Sequence, residues 1–402
     1  MEPVAGVLQE LVDRHGPERG GAVADYIPEL ARADAGAFGI ALVSVQGRTY
    51  AVGDARVPFT IQSVSKPFVH ALALAELGPE EVARRVGFEP SGEPFNAISL
   101  EESTGRPANP LINAGAIVTT AMIGGSADEA FGRIRGTLSA FAGRSLDVDE
   151  RVYRSEAATG DRNRALAYLT RSQGVLGRAA EEACDVYFRQ CAIRVHAVDL
   201  AVMGATLANA GTNPVTGRRV VGPAVARVVL SVMATCGMYD RSGEWMVRVG
   251  LPAKSGVGGG ITAVRPEQFG VGVYSPPLDA QGNSVRGVAA LRDMSGELGL
   301  HVFQHGAQPR SPLVASRTDD RAHRVELRGE LDFAAAEQVV DYVSDVARRH
   351  PRSEVYIDLT HVTGISPIAR RLLAGSAADL AGLTTVHTVD PGGFTGRGGP
   401  SR

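Results

Sequence analysis

The sequence has 402 residues, a formal net charge of −3 and 44% hydrophobic residues, which fits a chain of two or three globular domains. So small a net charge argues against nucleic acid or an anionic membrane as the partner. The N-terminus lacks a basic start and an apolar core, and no apolar run could span a bilayer, so we expect a cytoplasmic protein. The cysteines form no Cys-x-x-Cys pair and are expected to be reduced core thiols: Cys184, Cys191 and Cys236.

The larger part of the chain predicts helices enclosed by strands. In chain order we predict helices over 4–12 and 22–31, a hairpin of strands over 38–45 and 48–52, a helix from Ser63, a mostly helical region over 77–229, and strands over 269–274 and 285–291. Strands at both ends with helices between them indicate one antiparallel sheet closed by the ends of the domain.

The composition changes near residue 305, and a smaller unit follows. Residues 306–322 contain turn-forming Pro, Ser and Asp and are predicted to be a linker. Over 323–390, strands at 325–331, 355–359 and 385–389 alternate with helices at 335–349 and 367–380, which indicates an α/β unit. The Gly-rich tail, 391–402, is predicted to be disordered.

The first candidate for chemistry is Ser63-x-x-Lys66. Pro67 lacks an amide hydrogen and suits the first turn of a helix, so a helix is expected to start here. On that helix Ser63 and Lys66 share a face, and the helix dipole favours negative charge near Ser63. A lysine acts as a base only when it is partly neutral, which burial achieves.

Lysine is rare in this sequence. Of the 41 Lys and Arg residues, only Lys66 and Lys254 are lysines. Because arginine does not lose its proton in a protein, these two positions are candidates for a removable proton or a point charge. Lys254-Ser255-Gly256 is similar to the Lys-Thr-Gly element of penicillin-recognising serine enzymes. The alternative is a surface lysine beside an ordinary helix cap.

Several stretches in combination resemble the serine-dependent glutaminases over about residues 3–304. They are Tyr26-Ile27-Pro28, Ser63-x-x-Lys66, Leu-Ile-Asn-Ala-Gly-Ala at 111–116, Ser155-Glu156 with Asn163, Cys-Gly-Met-Tyr-Asp at 236–240 and Lys-Ser-Gly-Val-Gly-Gly-Gly at 254–260. The resemblance implies that residues 1–305 form a β-lactamase-like domain with an antiparallel sheet and a helical subdomain. It also implies hydrolysis of L-glutamine by water to L-glutamate and ammonia, no cofactor, and a homodimer or homotetramer.

The resemblance further implies roles for single residues. The implied catalytic residues are Ser63 (nucleophile), Lys66 (its base), Tyr239 (proton transfer) and Lys254, and the implied substrate-binding residues are Tyr26, Ser63, Asn113, Glu156, Asn163, Tyr187, Tyr239 and Val257. These residue types suit the chemistry, because a serine attacking an amide needs a base, and the amides of Ser63 and Val257 could hold the tetrahedral oxyanion. Glu156 suits the α-ammonium group of glutamine.

Taken singly, these residues have ordinary structural interpretations. Glu156 could be a surface helix residue, Asn113 a helix cap, and Tyr187 and Tyr239 core tyrosines. The histidines show no metal-ligand spacing, and His70 and His196 are interpreted as structural or exposed, so no metal is expected.

The C-terminal unit resembles a STAS domain, the fold of anti-sigma-factor antagonists, through Leu-Arg-Gly-Glu-Leu-Asp at 327–332 and Val-Tyr-Ile-Asp-Leu at 355–359. The usual turn with a phosphorylated hydroxyl before a glycine reads Ser366-Pro367-Ile368-Ala369, with Ile368 at the acceptor position. We also expect the closing helix of the fold to be missing. A docking or oligomerisation role, with a possible protein partner, is therefore preferred to a phosphoswitch.

Two other functions remain open. A β-lactam or peptide hydrolase would use the same Ser-x-x-Lys chemistry, but a signal peptide and a clear Ser-Asp-Asn element are not evident. A regulatory STAS protein with a degenerate catalytic domain would not need to keep the four implied catalytic residues.

Overall fold

The computed structural model describes residues 3–92, 97, 100–304, 312–318, 322–331 and 333–394, and the chain divides into two compact units, Met1–Gln304 and His305–Arg402. The helices of the first unit are α1 (Pro3–His15), α2 (Lys66–Leu77), α3 (Pro79–Arg85), α4 (Asn113–Ala121), α5 (Ala127–Ala142), α6 (Glu150–Thr159), α7 (Asp161–Ser172), α8 (Ala180–Cys191), α9 (Ala197–Ala208), α10 (Pro223–Cys236), α11 (Ser242–Arg248) and α12 (Val285–Leu298). Its strands are β1 (Gly39–Ser44), β2 (Thr49–Gly53), β3 (Phe59–Thr60), β4 (Arg194–Val195), β5 (Ala253–Gly256), β6 (Gly260–Arg265) and β7 (Phe269–Tyr274). Short 3₁₀ helices span Leu30–Arg32, Gln62–Ser65 and Tyr239–Arg241.

The first unit is built on an antiparallel sheet with the strand order β2-β1-β7-β6-β5. Strands β1 and β2 are the hairpin predicted from the sequence, with Ile40 opposite Val52. The other edge of β1 pairs with β7, where Ala41 lies opposite Gly272. Strands from the two ends of the unit therefore meet in one sheet, as the sequence predicts.

The two faces of this sheet serve different cores, because successive side chains of a strand point to opposite faces. Ile40 and Leu42 pack with residues of α1 and α12, whereas Ala41 packs with residues of α9. Helix α9 lies directly against β7, since a Cβ at Gly272 would sit 1.9 Å from the carbonyl oxygen of Ala197. Glycine at this position is what permits the close approach.

The helical part of the unit is centred on α2, which follows the 3₁₀ helix Gln62–Ser65 without a break. Pro67 occupies its first turn, as predicted, and the helix is buried from Lys66 to Leu74. Helix α2 packs against α4, α5 and α10, and α8 packs against the 3₁₀ helix. The Ser-x-x-Lys segment is thus held between the helical part and β5 of the sheet.

Two predicted elements of the first unit are wrong. The segment 285–291 is not a strand but the start of α12, where the Ser284 hydroxyl caps the helix by accepting from the amide of Gly287. The β-branched residues at its start resemble a strand pattern, which misled the prediction. The predicted helix over 22–31 is reduced to the short 3₁₀ helix Leu30–Arg32, which begins near its end, and Ala22 forms a bridge with Leu278.

The second unit is a small α/β structure that comprises β8 (Leu313–Thr318), β9 (Ala322–Leu331), α13 (Phe333–Arg349), β10 (Glu354–Ile365), α14 (Pro367–Asp379) and β11 (Thr385–Val389). Its sheet has the order β11-β10-β9-β8. Strand β10 runs parallel to both β9 and β11, while β8 is antiparallel to β9. Leu327, Val339 and Ile357 are buried in its core.

The structure differs from the sequence prediction at both ends of this unit. Leu313–Thr318, predicted to be linker, forms β8 because its backbone pairs with β9. Within the predicted tail, Phe394 packs against the core of the unit, and its amide donates to the Asp390 carboxylate. The rest of the predicted linker (306–311 and 319–321) and of the tail (395–402) lies outside the described residues.

Two further features bear on the sequence predictions. Cys184, Cys191 and Cys236 are buried free thiols, as expected. Among the helices that the structure describes, none has the length and apolar character needed to cross a membrane.

Candidate active site

The candidate nucleophile Ser63 lies in the 3₁₀ helix Gln62–Ser65, between β3 and α2. Gln62 has a φ of +49°, a left-handed conformation that is uncommon for a residue other than glycine. The end of β5 approaches this turn closely, since a Cβ at Gly256 would sit 2.9 Å from a methyl carbon of Val64. The glycine of Lys-Ser-Gly therefore lets β5 lie against the nucleophile segment.

Lys66 is buried below Ser63 at the start of α2, with 1% of its surface exposed. Its Nζ donates to Asn113 Oδ1 at 2.7 Å and to the carbonyl oxygen of Leu111 at 3.2 Å. Burial lowers the pKa of the Lys66 ammonium to about 8. Near neutral pH this lysine is therefore partly deprotonated, as a general base must be.

Ser63 is hydrogen-bonded to the side chain of Tyr239. The Tyr239 hydroxyl donates to the carbonyl oxygen of Ser255 at 3.1 Å, which leaves the phenol oxygen to accept from Ser63. Tyr239 has a φ of +57°, so its backbone is held in a left-handed conformation. Burial raises the pKa of Tyr239 above its ordinary value, and the phenol stays protonated.

The second lysine, Lys254, lies beside the same tyrosine. Its Nζ is 4.1 Å from the centre of the Tyr239 ring and donates to the carbonyl oxygen of Ser255. The side chain is fully buried, and burial, followed by the charge of Lys66, lowers the pKa of Lys254 well below its ordinary range. Lys254 and Tyr239 thus share one acceptor and form a single buried group with Ser63.

A cavity of about 350 Å³ lies on the helical side of this group. It is lined by Tyr26, Ile27, Asn113, Glu156, Thr159, Gly160, Arg162 and Asn163. Asn113 Nδ2 donates to Asn163 Oδ1 at 2.9 Å, and Tyr26, half exposed, lies at the mouth. Four of the residues implied to bind substrate are therefore neighbours in space.

The carboxyl group of Glu156 lines this cavity. It is 5% exposed, and burial raises its pKa to about 8, although a hydrogen bond with the Gln62 side chain and the charge of Lys66 oppose this shift. Among the described residues its Oε2 has no hydrogen-bond partner. A buried carboxylate with an open oxygen is suited to receive a cationic group.

The remaining implied residues lie at the edges of the group. Tyr187 is buried, and its hydroxyl donates a long hydrogen bond of 3.5 Å to Asn113 Oδ1. Burial raises the pKa of Tyr187 well above its ordinary value. Val257 follows β5 directly and packs with Ile27, a lining residue of the cavity.

For Asn113 and His196 the structure shows whether the side chain has the structural role that the sequence allowed. The side chain of Asn113 does not cap α4; Asn109 Oδ1 accepts from the amides of Leu111 and Ile112 instead. His196 is structural, as predicted, because its Nδ1 accepts from the amide of Asp199 in a capping box at the start of α9.

Two residues of the site were missed by the sequence analysis. Gln62 is hydrogen-bonded to the Glu156 carboxyl group and precedes the nucleophile with a left-handed backbone. Glutamine has no preference for this conformation, so the sequence did not indicate it. Cys191 was predicted only as a core thiol; it is buried and hydrogen-bonded to Tyr187, one of the residues implied to bind substrate. Its place on α8, four residues after Tyr187, was the available signal.

The chain is similar to known proteins over both of its units. The Glutaminase family profile matches residues 21–303, and the STAS domain profile matches residues 314–381. Glutaminase 1 of Bradyrhizobium diazoefficiens is 48% identical over 404 residues, which cover 95% of this chain and 65% of that protein. The glutaminase of Microcystis aeruginosa is 51% identical over 302 residues, or 75% of this chain and 89% of that protein. This chain thus spans less than two thirds of the length of the first of these relatives.

Solved structures support the same assignment. A crystal structure of Mglu in its glutamate form has a TM-score of 0.85 at 39% identity, covering 98% of this chain and 99% of that chain. A probable glutaminase from Bacillus subtilis, complexed with 6-diazo-5-oxo-L-norleucine, has a TM-score of 0.70 at 35% identity, covering 75% of this chain and 98% of that chain. The predicted fold class is confirmed, and the chain belongs to the glutaminase family and carries a C-terminal STAS domain.

Proposed function

We propose that this chain is an amidohydrolase that converts L-glutamine to L-glutamate and ammonia through a serine acyl-enzyme. The observation that carries the proposal is the hydrogen-bonded pair of Ser63 and Tyr239, which is buried beside a lysine with a pKa of about 8. Such a set supplies a nucleophile and a route for its proton, the two requirements for attack on an unreactive amide carbon.

In the proposed reaction, Ser63 Oγ attacks the side-chain amide carbon of glutamine. Neutral Lys66 takes up the hydroxyl proton as the general base, and Tyr239, hydrogen-bonded to Ser63, helps to move it. The backbone amides of Ser63 and Val257 stabilise the tetrahedral oxyanion. The C–N bond then breaks, the departing nitrogen takes up the proton and leaves as ammonia, and water hydrolyses the acyl-serine to give glutamate. Lys254, beside Tyr239, is proposed to favour proton movement along this route.

The proposed pose of the substrate follows from charge. The α-ammonium group of glutamine lies against the open oxygen of Glu156, and the α-carboxylate accepts hydrogen bonds from the Asn113 and Asn163 amides. Tyr187 contributes a hydroxyl on the same side, and Tyr26 covers the mouth. An ammonium group near Glu156 would offset the unfavourable burial of its negative charge.

Three further statements remain predictions from the sequence: the cytoplasmic location, assembly into a homodimer or homotetramer, and a role of the STAS domain in docking a protein partner. The docking role is preferred to a phosphoswitch because Ile368, which has no hydroxyl group, stands at the acceptor position. The nearby hydroxyl of Ser366 accepts from the amide of Ala369 and caps α14.

The test is ammonia release by the purified full chain from L-glutamine and L-asparagine, and the colour change of a chromogenic β-lactam, each with wild type and Ser63→Ala. Hydrolysis of glutamine that Ser63→Ala abolishes supports the proposal. Turnover of the β-lactam alone would support the alternative hydrolase. A folded wild type that turns over none of the three would support the regulatory alternative and refute the proposed function.

A further inference from the structure

A buried chain of side-chain hydrogen bonds ends at the peptide group that precedes the nucleophile. Thr120 Oγ1 on α4 donates to Gln190 Oε1 at 2.9 Å. Gln190 Nε2 on α8 donates to Ser65 Oγ at 2.9 Å, and Ser65 Oγ donates to the carbonyl oxygen of Gln62 at 2.7 Å. Three elements that are distant in sequence thus converge on one backbone carbonyl.

The direction of this chain is fixed by the number of hydrogens available. Ser65 has one hydroxyl hydrogen, which it gives to Gln62, so it must accept from Gln190. The amide oxygen of Gln190 then faces Thr120. Thr120, Gln190 and Ser65 are fully buried, where no water can replace a lost partner. Loss of any one of these three hydrogen bonds therefore leaves a buried polar group without its partner.

The end point of the chain is strained. Gln62 holds a φ of +49°, and residues in such conformations persist only where the surroundings enforce them. The carbonyl of Gln62 and the amide hydrogen of Ser63 belong to one planar trans peptide group, in which they point in opposite directions. Fixing that carbonyl consequently fixes where the Ser63 amide points.

We infer that Thr120, Gln190 and Ser65 form a positioning chain that orients the Ser63 amide toward the developing oxyanion. The inference rests on the proposed function, in which this amide is one of two oxyanion donors. Hydrogen bonding to the Gln62 carbonyl also polarises the peptide group and makes its N–H a stronger donor. Ser65 and Gln190 touch no substrate in this scheme and act through the peptide group alone.

The inference predicts a specific pattern in the kinetics of the full chain. Ser65→Ala should lower kcat about 10- to 100-fold with little change in KM, somewhat less than complete loss of an oxyanion donor. Gln190→Met should act in the same direction. The double variant Ser65→Ala/Gln190→Met should be no slower than Ser65→Ala, because both substitutions break one chain. Ser65→Thr, which keeps the hydroxyl, should recover most of kcat.

A matched control is Thr119→Val beside Thr120→Val. Both threonines are buried on α4, but Thr119 Oγ1 donates to the carbonyl oxygen of Gly115 in its own helix. Only Thr120→Val should lower kcat. Hydrogen exchange of the peptide 59–66 supplies a readout without activity: exchange should be faster in Ser65→Ala and in the double variant than in wild type or Thr119→Val.

The outcomes separate the two proposals. Wild type that is inactive on glutamine refutes the proposed function, and hydrogen exchange then still decides whether the chain positions the peptide. An active wild type with an equally fast, folded Ser65→Ala variant refutes the positioning chain alone. Equal losses in Thr119→Val and Thr120→Val, or unchanged exchange of 59–66 in Ser65→Ala, would also overturn it.

Discussion

Replacement of Glu156 by glutamine should stabilise the free protein while it weakens substrate binding. Burial raises the pKa of Glu156 from 4.5 to about 8, so the folded chain holds a proton that the unfolded chain releases. Between these values stability falls as pH rises, because the unfolded state binds fewer protons there. Each pH unit above the unfolded pKa of 4.5 lowers the free energy of unfolding by about 1.36 kcal/mol. At pH 7.5, three units above that value, Glu156 therefore destabilises the fold by on the order of 4 kcal/mol.

A glutamine side chain does not ionise, so Glu156→Gln removes this unfavourable contribution; because its buried amide also needs partners, we expect a net gain in unfolding free energy of about 1–2 kcal/mol near neutral pH. Urea unfolding of wild type and Glu156→Gln at acidic and at mildly alkaline pH measures the difference. The gain in unfolding free energy should be largest at alkaline pH, because the unfavourable contribution of Glu156 grows as the pH rises from its unfolded to its folded pKa. A variant that is less stable than wild type at alkaline pH would refute this account of the buried charge.

The same variant tests the proposed pose of glutamine. Hydrogen bonds to charged groups contribute about 1.5–3 kcal/mol, so Glu156→Gln should raise KM for L-glutamine roughly tenfold or more. An analogue without the α-amino group has no ammonium to lose, and its hydrolysis should be nearly unaffected. Equal losses for both substrates would place the α-ammonium group elsewhere.

Four other expectations can be measured with the same ammonia assay. Ser63→Ala should fold and lose glutamine hydrolysis. The nearby Ser65 cannot replace Ser63 as the nucleophile, because its hydroxyl hydrogen is donated to a backbone carbonyl, and activity near wild type would contradict the acyl-enzyme. Lys66→Arg should lose about 10²-fold or more in kcat, since arginine cannot act as a base; if it stayed active, Tyr239 would become the preferred base. The kcat of wild type should rise with pH through about 8, as Lys66 loses its proton, and a flat profile would argue against this titration. A chain that ends after Gln304 should remain folded and hydrolyse glutamine, and a folded but inactive product, with its mass measured by light scattering, would show that the active site or an obligatory oligomer needs the STAS domain.

The sequence predicts well where local pattern and covalent geometry decide the structure. Runs of apolar and β-branched residues on either side of Gln46-Gly47 predicted the hairpin of β1 and β2, and the missing amide hydrogen of Pro67 placed the start of α2 beside Ser63. It fails where tertiary contacts decide. The segment 285–291 has strand-like residues, yet a capped helix covers the sheet there. The left-handed backbone of Gln62 and Tyr239 is likewise imposed by packing and has no signature in these residue types.

The candidate site shows the same division. The presence of Ser63, Lys66, Tyr239 and Lys254 in one group followed from short motifs. The hydrogen bonds among these residues could not be predicted from the motifs. Ser63 is hydrogen-bonded to Tyr239, while Lys66 donates to Asn113. Residue spacing along a helix indicates which side chains share a face, but a partner from a distant segment takes the hydrogen bond when its geometry is better.

The choice between lysine and arginine in this protein follows from the chemistry of the two cations. Arg286 is also buried, but its guanidinium donates to Ser275 Oγ and to the carbonyl oxygens of residues 35–37, so its permanent charge is satisfied. Burial lowers the pKa of all three groups, but among the described residues Lys66 and Lys254 have fewer acceptors, and an ammonium group loses its proton far more readily than a guanidinium group. A buried arginine is held charged by its partners, whereas a buried lysine can lose its proton. In the proposed reaction the two lysines of the sequence therefore belong to the catalytic group, whereas the buried charge of Arg286 holds the fold.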